Sequence, residues 1–171
     1  MKKKILITIP SVILLISLYV LIFCFSAEEA EESGSKSHYI SRICVETVNK
    51  IAGKNWTEAV KEQLTDYYEH PIRKLAHFSE YCLSGILLFI AWSQWIPRDR
   101  RFYLFLIIWI AVSAGIDEIH QLLVAGRDGN VIDVMIDTLG GGFGLFFCTL
   151  IHNIGTAKRS GFIHFGSSKN L

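Results

Sequence analysis

Four stretches of about 20 consecutive, mostly apolar residues leave this chain few ways to fold. They cover residues 5–25, 75–96, 102–125 and 132–151. A hydrocarbon core about 30 Å thick takes roughly 20 residues to cross at 1.5 Å each as a helix. The runs are continuous rather than alternating, which selects helices over the strands of a membrane barrel. The expected fold is therefore all-α, an integral membrane four-helix bundle. Composition agrees: of 171 residues, 51% are hydrophobic and 19% charged, too apolar for a disordered chain or an ordinary soluble domain. A net charge of +1 leaves no basic excess for nucleic-acid phosphates. Membrane lipids are the partner that composition implies.

The first run reads as an uncleaved signal anchor, because it exceeds the roughly 7–15 residues of a removable signal core. Phe23 also precedes Cys24, where a lipoprotein signal carries a small residue. Pro10 predicts a kink in it. Lys2–Lys4, the Pro97–Arg101 loop and Lys158-Arg159 all fall on one side if the chain crosses four times. The positive-inside bias then places both termini in the cytoplasm of a bacterial cell, in a multi-pass protein of the cytoplasmic membrane. Arg73 and Lys74 lie on the outer side against that bias.

Four segments follow: an anchor at 1–25, an extracytoplasmic loop at 26–72, a three-helix core at 73–152 and a cytoplasmic tail at 153–171. The loop begins with the solvated acidic run Glu28–Glu32, which Ser33-Gly34-Ser35 is expected to break. Ile40, Cys44, Thr47 and Ile51 then share a helical face. Asn55 with Glu58 makes a capping-box signature ahead of Val60, Leu64 and Tyr67. Two short amphipathic helices are expected, lying on the membrane surface or packed over the bundle. Pro71 is placed in the first turn of the second span. The four cysteines suggest no disulfide framework, and no Cys-x-x-Cys zinc pattern is present.

Ionisable residues cost roughly 2.5–3.5 kcal/mol each at the centre of a membrane helix. Here they gather at three helix ends on one side. At 100° per residue, Arg73, His77, Glu80, Tyr81 and Ser84 share one arc of the second span. Ser113, Asp117, Glu118, His120 and Gln121 share an arc of the third, opposite Ile116, Ile119, Leu122 and Leu123. Asp133 and Asp137 align with Gly140, Gly141 and Gly144 in the fourth. Counted along the helices from the outer side, Glu118 lies about 12 Å deep, Asp137 about 9 Å, and Glu80 about 10 Å below Arg73. These groups can meet in one outward-facing layer.

Glu80, Asp117 and Glu118 are the acid–base candidates. Arg73, Lys74, His77, Tyr81, Gln121, Arg127, Asp133 and Asp137 are the ligand-binding candidates. A satisfied polar network that fixes helix register is the alternative reading. Without a complete Glu-x-x-His or His-x-x-x-His pair, neither a metal nor another cofactor is expected. Gly126-Arg127-Asp128-Gly129 is a tight turn, with Arg127 either part of it or an anion clamp. Gly140 and Gly144 form a small-xxx-small packing pair.

The segments Arg73-Lys74-Leu75-Ala76-His77-Phe78-Ser79-Glu80-Tyr81, Asp117-Glu118-Ile119-His120-Gln121, Gly126-Arg127, Asp133-Val134 and Asp137-Thr138-Leu139-Gly140 resemble, in that order, the VanZ-like family. The resemblance covers about residues 25–150, with Phe25-Ser26 similar to the family's junction into its outer loop. Ala125 stands where many members have Pro, and Asp137 where many have Asn. The family's members are small multi-pass bacterial membrane proteins, associated with low-level resistance to the glycopeptide teicoplanin.

The resemblance implies a cell-envelope protein that lowers glycopeptide sensitivity; the cationic rim of Arg73, Lys74 and Arg127 over buried carboxylates suits an outward-facing site for an anionic lipid headgroup or the carboxylate of a cell-wall precursor. Two other expectations stand beside it. One is a membrane enzyme acting on a lipid-linked or peptidoglycan precursor; the other is a proton-coupled carrier, against which the absence of an inverted repeat weighs.

Overall fold

The computed structural model describes residues 1–167, with side chains through residue 156. Five helices follow one another: α1 (Lys2–Ser26), α2 (Ala30–Ala52), α3 (Glu58–Trp92), α4 (Arg100–Gln121) and α5 (Val131–Ser167). No strand occurs among the described residues. Within them, α1, α3, α4 and the 131–156 part of α5 are long and apolar enough to cross a membrane. The fold is the expected helical bundle, and the chain is a membrane protein.

The connecting segment departs from its sequence reading. Gly34 does not break the chain, and α2 is one continuous helix of 23 residues. Ser35 and Ser37 turn their hydroxyls back onto the carbonyls of Glu31 and Ser33, so the Ser-Gly-Ser stretch satisfies itself within the helix. The helix ends at Gly53, whose φ of 59° suits a residue without Cβ. The predicted capping box is replaced by Thr57, whose Oγ1 accepts from the Val60 amide at 3.4 Å. Asn55 instead takes a positive φ of 49° in the turn.

The second amphipathic stretch is not a separate helix either. It is the first half of α3, which runs 35 residues straight through Pro71. Pro71 therefore lies in a helix interior, where it withholds a donor from the Tyr67 carbonyl. Continuity there is supported from outside: α2 lies along this half of α3, with Ser41 donating to the Thr65 carbonyl at 2.7 Å and Ser37 to Glu69 at 3.2 Å. Arg42 reaches Glu46, Glu58 and Glu62. Glu46 and Glu58 hold its guanidinium further above its ordinary pKa. The two elements make a hairpin standing on the bundle.

Among the spans, α3 is central and packs on α1, α4 and α5. The α3–α5 contact is built on glycine. A Cβ at Gly140 or Gly144 would run into the backbone of Phe78 or Cys82, and one at Gly85 into the backbone of Gly141. Between lipid-facing helices no hydrophobic force drives association, so close backbone approach of this kind supplies the attraction. Leu88, Phe102, Leu106 and Ile110 fill the space between α3 and α4. The outward arcs are apolar, Leu123 being 82% exposed and Ile116, Ile119 and Leu122 also open, as the lipid-facing arc requires. The four cysteines are unpaired.

The apolar run predicts a fourth membrane-spanning stretch that ends near residue 151, and the helix that carries it runs further. α5 continues to Ser167, and 168–171 lie outside the described residues. α4 ends at Gln121 rather than near 125, because the 122–130 segment turns back over the bundle end.

Candidate functional site

The chain runs up α1, down α3, up α4 and down α5, so the end of α1, the middle of α3, the end of α4 and the start of α5 share one level. At the other end, Thr8 of α1 meets the Ala91 carbonyl and Trp95. At the shared level lies a cavity of about 230 Å³. Arg73, Lys74 and His77 enter it from α3, Glu118 and Gln121 from α4, Arg127 and Asp128 from the turn, and Asp133 and Asp137 from α5. The seven on helices each lie about one helical turn from another on the same helix, which is why a common face appears.

Cations in the cavity are already held. Arg73 bonds Glu69, and its Nη2 lies 3.4 Å from the Ser37 hydroxyl. Lys74 pairs with Asp133. Arg127 donates from Nε to the Glu28 carbonyl at 3.0 Å, from Nη2 to the Phe25 carbonyl at 3.1 Å and from Nη1 to Gln121 Oε1 at 3.0 Å. It thereby ties the turn to the end of α1. Burial, followed by the charge of Arg73, pushes the Arg127 guanidinium below its ordinary pKa. Gly126 allows the tie: its φ is 74°, and a Cβ there would close to 3.1 Å on Ala30.

The carboxylates differ sharply in company. Asp117 is buried and accepts on one oxygen, Oδ2, from Ser26 at 2.9 Å and Gln121 at 3.0 Å. Glu118 takes the Asn130 amide on Oε1, closing the turn into α5. Asp137 is 3% exposed, lines the cavity and has no hydrogen bond or ion pair among the described residues. Glu80 Oε2 and His77 Nδ1 lie 3.5 Å apart, both buried and without a hydrogen-bond partner. Arg73 Nε is a further buried donor with none.

Of the residues singled out from sequence, eight line this cavity: Arg73, Lys74, His77, Glu118, Gln121, Arg127, Asp133 and Asp137. Asp117 and Glu80 stand behind its wall, in contact with Gln121 and His77. Tyr81 does not reach it, being buried in the apolar core instead. His120 turns to α1, stacked on Phe23 with ring centres 4.0 Å apart. Ser113 pairs with Tyr19.

Two contributors are absent from the sequence reading of the layer. Ser26 is fully buried, and only its contact with Asp117, 91 positions on, gives it meaning. His70 lines the cavity because α3 begins at Glu58, well ahead of the expected start of the span, which puts residue 70 about one turn before Arg73 and Lys74.

Residues 11–152 match the family model described as VanZ/LLP1. The chain belongs to the VanZ/LLP1 family. The matched region takes in most of α1 together with α2, α3, α4 and the start of α5, so every wall of the cavity lies inside the VanZ/LLP1 region. No curated protein and no solved structure matches the chain.

Proposed function

We propose that this VanZ/LLP1 protein binds the anionic headgroup of a lipid-linked envelope precursor in the cavity between α3, α4 and α5, and through that binding lowers sensitivity to teicoplanin-type glycopeptides. The observation that carries the reading is the buried, unpartnered Nε–H of Arg73 at the cavity. A buried donor without an acceptor costs about 1–3 kcal/mol, and a phosphate or carboxylate oxygen would relieve it. Arg127 offers the same oxyanion its remaining N–H groups, since a guanidinium carries five and three are visibly used here. The positive-inside bias of the loops supports an exterior setting for this end of the bundle, where envelope precursors and glycopeptides meet.

Deletion in the native host should raise glycopeptide sensitivity, and wild type should restore resistance where Arg73→Gln does not. Purified wild-type protein should capture liposomes doped with a phosphate-headgroup polyprenyl lipid more strongly than Arg73→Gln. Unchanged sensitivity on deletion, together with equal capture by both proteins, would remove the reading.

The facing pair of His77 and Glu80 favours a second reading, acid–base chemistry on such a precursor. Turnover of the lipid phosphate, lost in Glu80→Gln while capture persists, would distinguish an enzyme from a binding protein.

A further inference from the structure

His77, Asp117 and Asp137 each present one potential ligand atom, and these atoms all lie within 4.8 Å of one another. They come from three different helices, α3, α4 and α5. Ligands about 2.0–2.2 Å from one ion sit up to about 4.4 Å apart, so a small closing movement of side chains would bring all three onto it.

We infer that His77, Asp117 and Asp137 form a divalent-cation site at the inner edge of the cavity, with His77 and Asp137 lining it and Asp117 just behind its wall. Three independent features of the geometry support it. Asp137 is almost wholly buried, faces the cavity and has no hydrogen bond or ion pair among the described residues, an arrangement that a bound cation would compensate. Asp117 is anchored by Ser26 and Gln121 through Oδ2 alone, which leaves Oδ1 for an ion. His77 has its Nδ1 3.5 Å from the Glu80 carboxylate, where a small rotation would make the outer-layer hydrogen bond that metal-binding imidazoles commonly have and would leave Nε2 for the ion.

Two carboxylates favour a hard ion and one imidazole a borderline one. Mn²⁺ and Zn²⁺ suit this mixture better than Mg²⁺ or Ca²⁺. The remaining coordination positions would open into the cavity, toward Arg73 and Arg127. The ion site stands on side-chain geometry alone; its use in gripping a phosphate rests on the function proposed above.

Mn²⁺ added to the detergent-purified full chain tests it by electron paramagnetic resonance. The expected result is one saturable ion per chain, with a nitrogen coupling from an imidazole, displaced by equimolar Zn²⁺ but not by Mg²⁺. Asp137→Asn and His77→Gln should each weaken binding at least tenfold, His77→Gln removing the nitrogen signal. Glu80→Gln, which would act on ion binding through the orientation of His77, should weaken it roughly 10–100-fold. Circular dichroism keeps misfolded variants out of the comparison, and the nitrogen coupling in the unaltered protein needs no variant at all.

Absence of a saturable site, or a bound ion without nitrogen coupling, would overturn the proposal. So would binding that survives Asp137→Asn but is lost in Glu62→Gln, at the exposed His38, Glu62, Asp66 cluster. A phosphate-headgroup lipid added afterwards should perturb the Mn²⁺ spectrum. An ion that binds but ignores the lipid keeps the cation site and refutes its use on a phosphate.

Discussion

At the scale of single residues, two kinds of position can be told apart by what surrounds them. Ser26 matters because Asp117 is buried against it. Ser26→Ala leaves that carboxylate with Gln121 as its one donor, and should destabilise the protein by about 1–3 kcal/mol, seen as a lower midpoint of thermal unfolding in detergent. The glycines divide in the same way. Gly144→Val sets a branched side chain against the Cys82 carbonyl and should prevent accumulation of folded protein. Gly142→Ala, where nothing lies within 4 Å of the added carbon, should be neutral or stabilise by up to about 1 kcal/mol through helix propensity. Equal loss in both would mean that α5 does not approach α3 through Gly144. The spacing of Gly140 and Gly144 was legible as a packing pair in the sequence. The silence of Gly142 was not, since a run of three glycines does not say which faces a neighbour.

Elements were legible according to how local their causes are. The four long apolar helices follow from hydropathy alone, because a backbone in lipid must satisfy its own hydrogen bonds within each segment. The joints of the α2–α3 hairpin are not legible in this way. Local turn signals at Gly34 and Pro71 were overridden by contacts between the two helices, which no window on one helix contains. That difference can be measured. Arg42→Gln removes the side chain that gathers Glu46, Glu58 and Glu62, and should speed amide hydrogen exchange severalfold in α2 and the first half of α3 while the spans stay protected. These groups are largely solvent-accessible, so raising salt should narrow the gap between variant and wild type. A salt-independent gap would point to packing rather than charge as the cause.

For the whole molecule, the orientation of the bundle decides whether the polar cavity meets the exterior. Cys44 is exposed on the hairpin, at the same end as the cavity, while Cys24, Cys82 and Cys148 lie in the spans. In a variant keeping Cys44 alone, a membrane-impermeant maleimide should label intact cells rapidly. Labelling only after permeabilisation would place the cavity on the cytoplasmic side and withdraw glycopeptides and exterior precursors as its context.

From the order of its residues alone, this chain was committed to four membrane-length helices and to a layer of ionisable groups at one depth. Hydropathy and rise per residue are properties of each segment taken singly, so they need no knowledge of neighbours. Packing alone decided how that layer is used: Arg127 spent on the end of α1, Tyr81 withdrawn into the core, Ser26 recruited, and Asp137 left facing His77 and Asp117. The reason is distance along the chain. Helix rotation and the close glycine contacts of α3 with α5 set which side chains meet, and those contacts join residues some sixty positions apart.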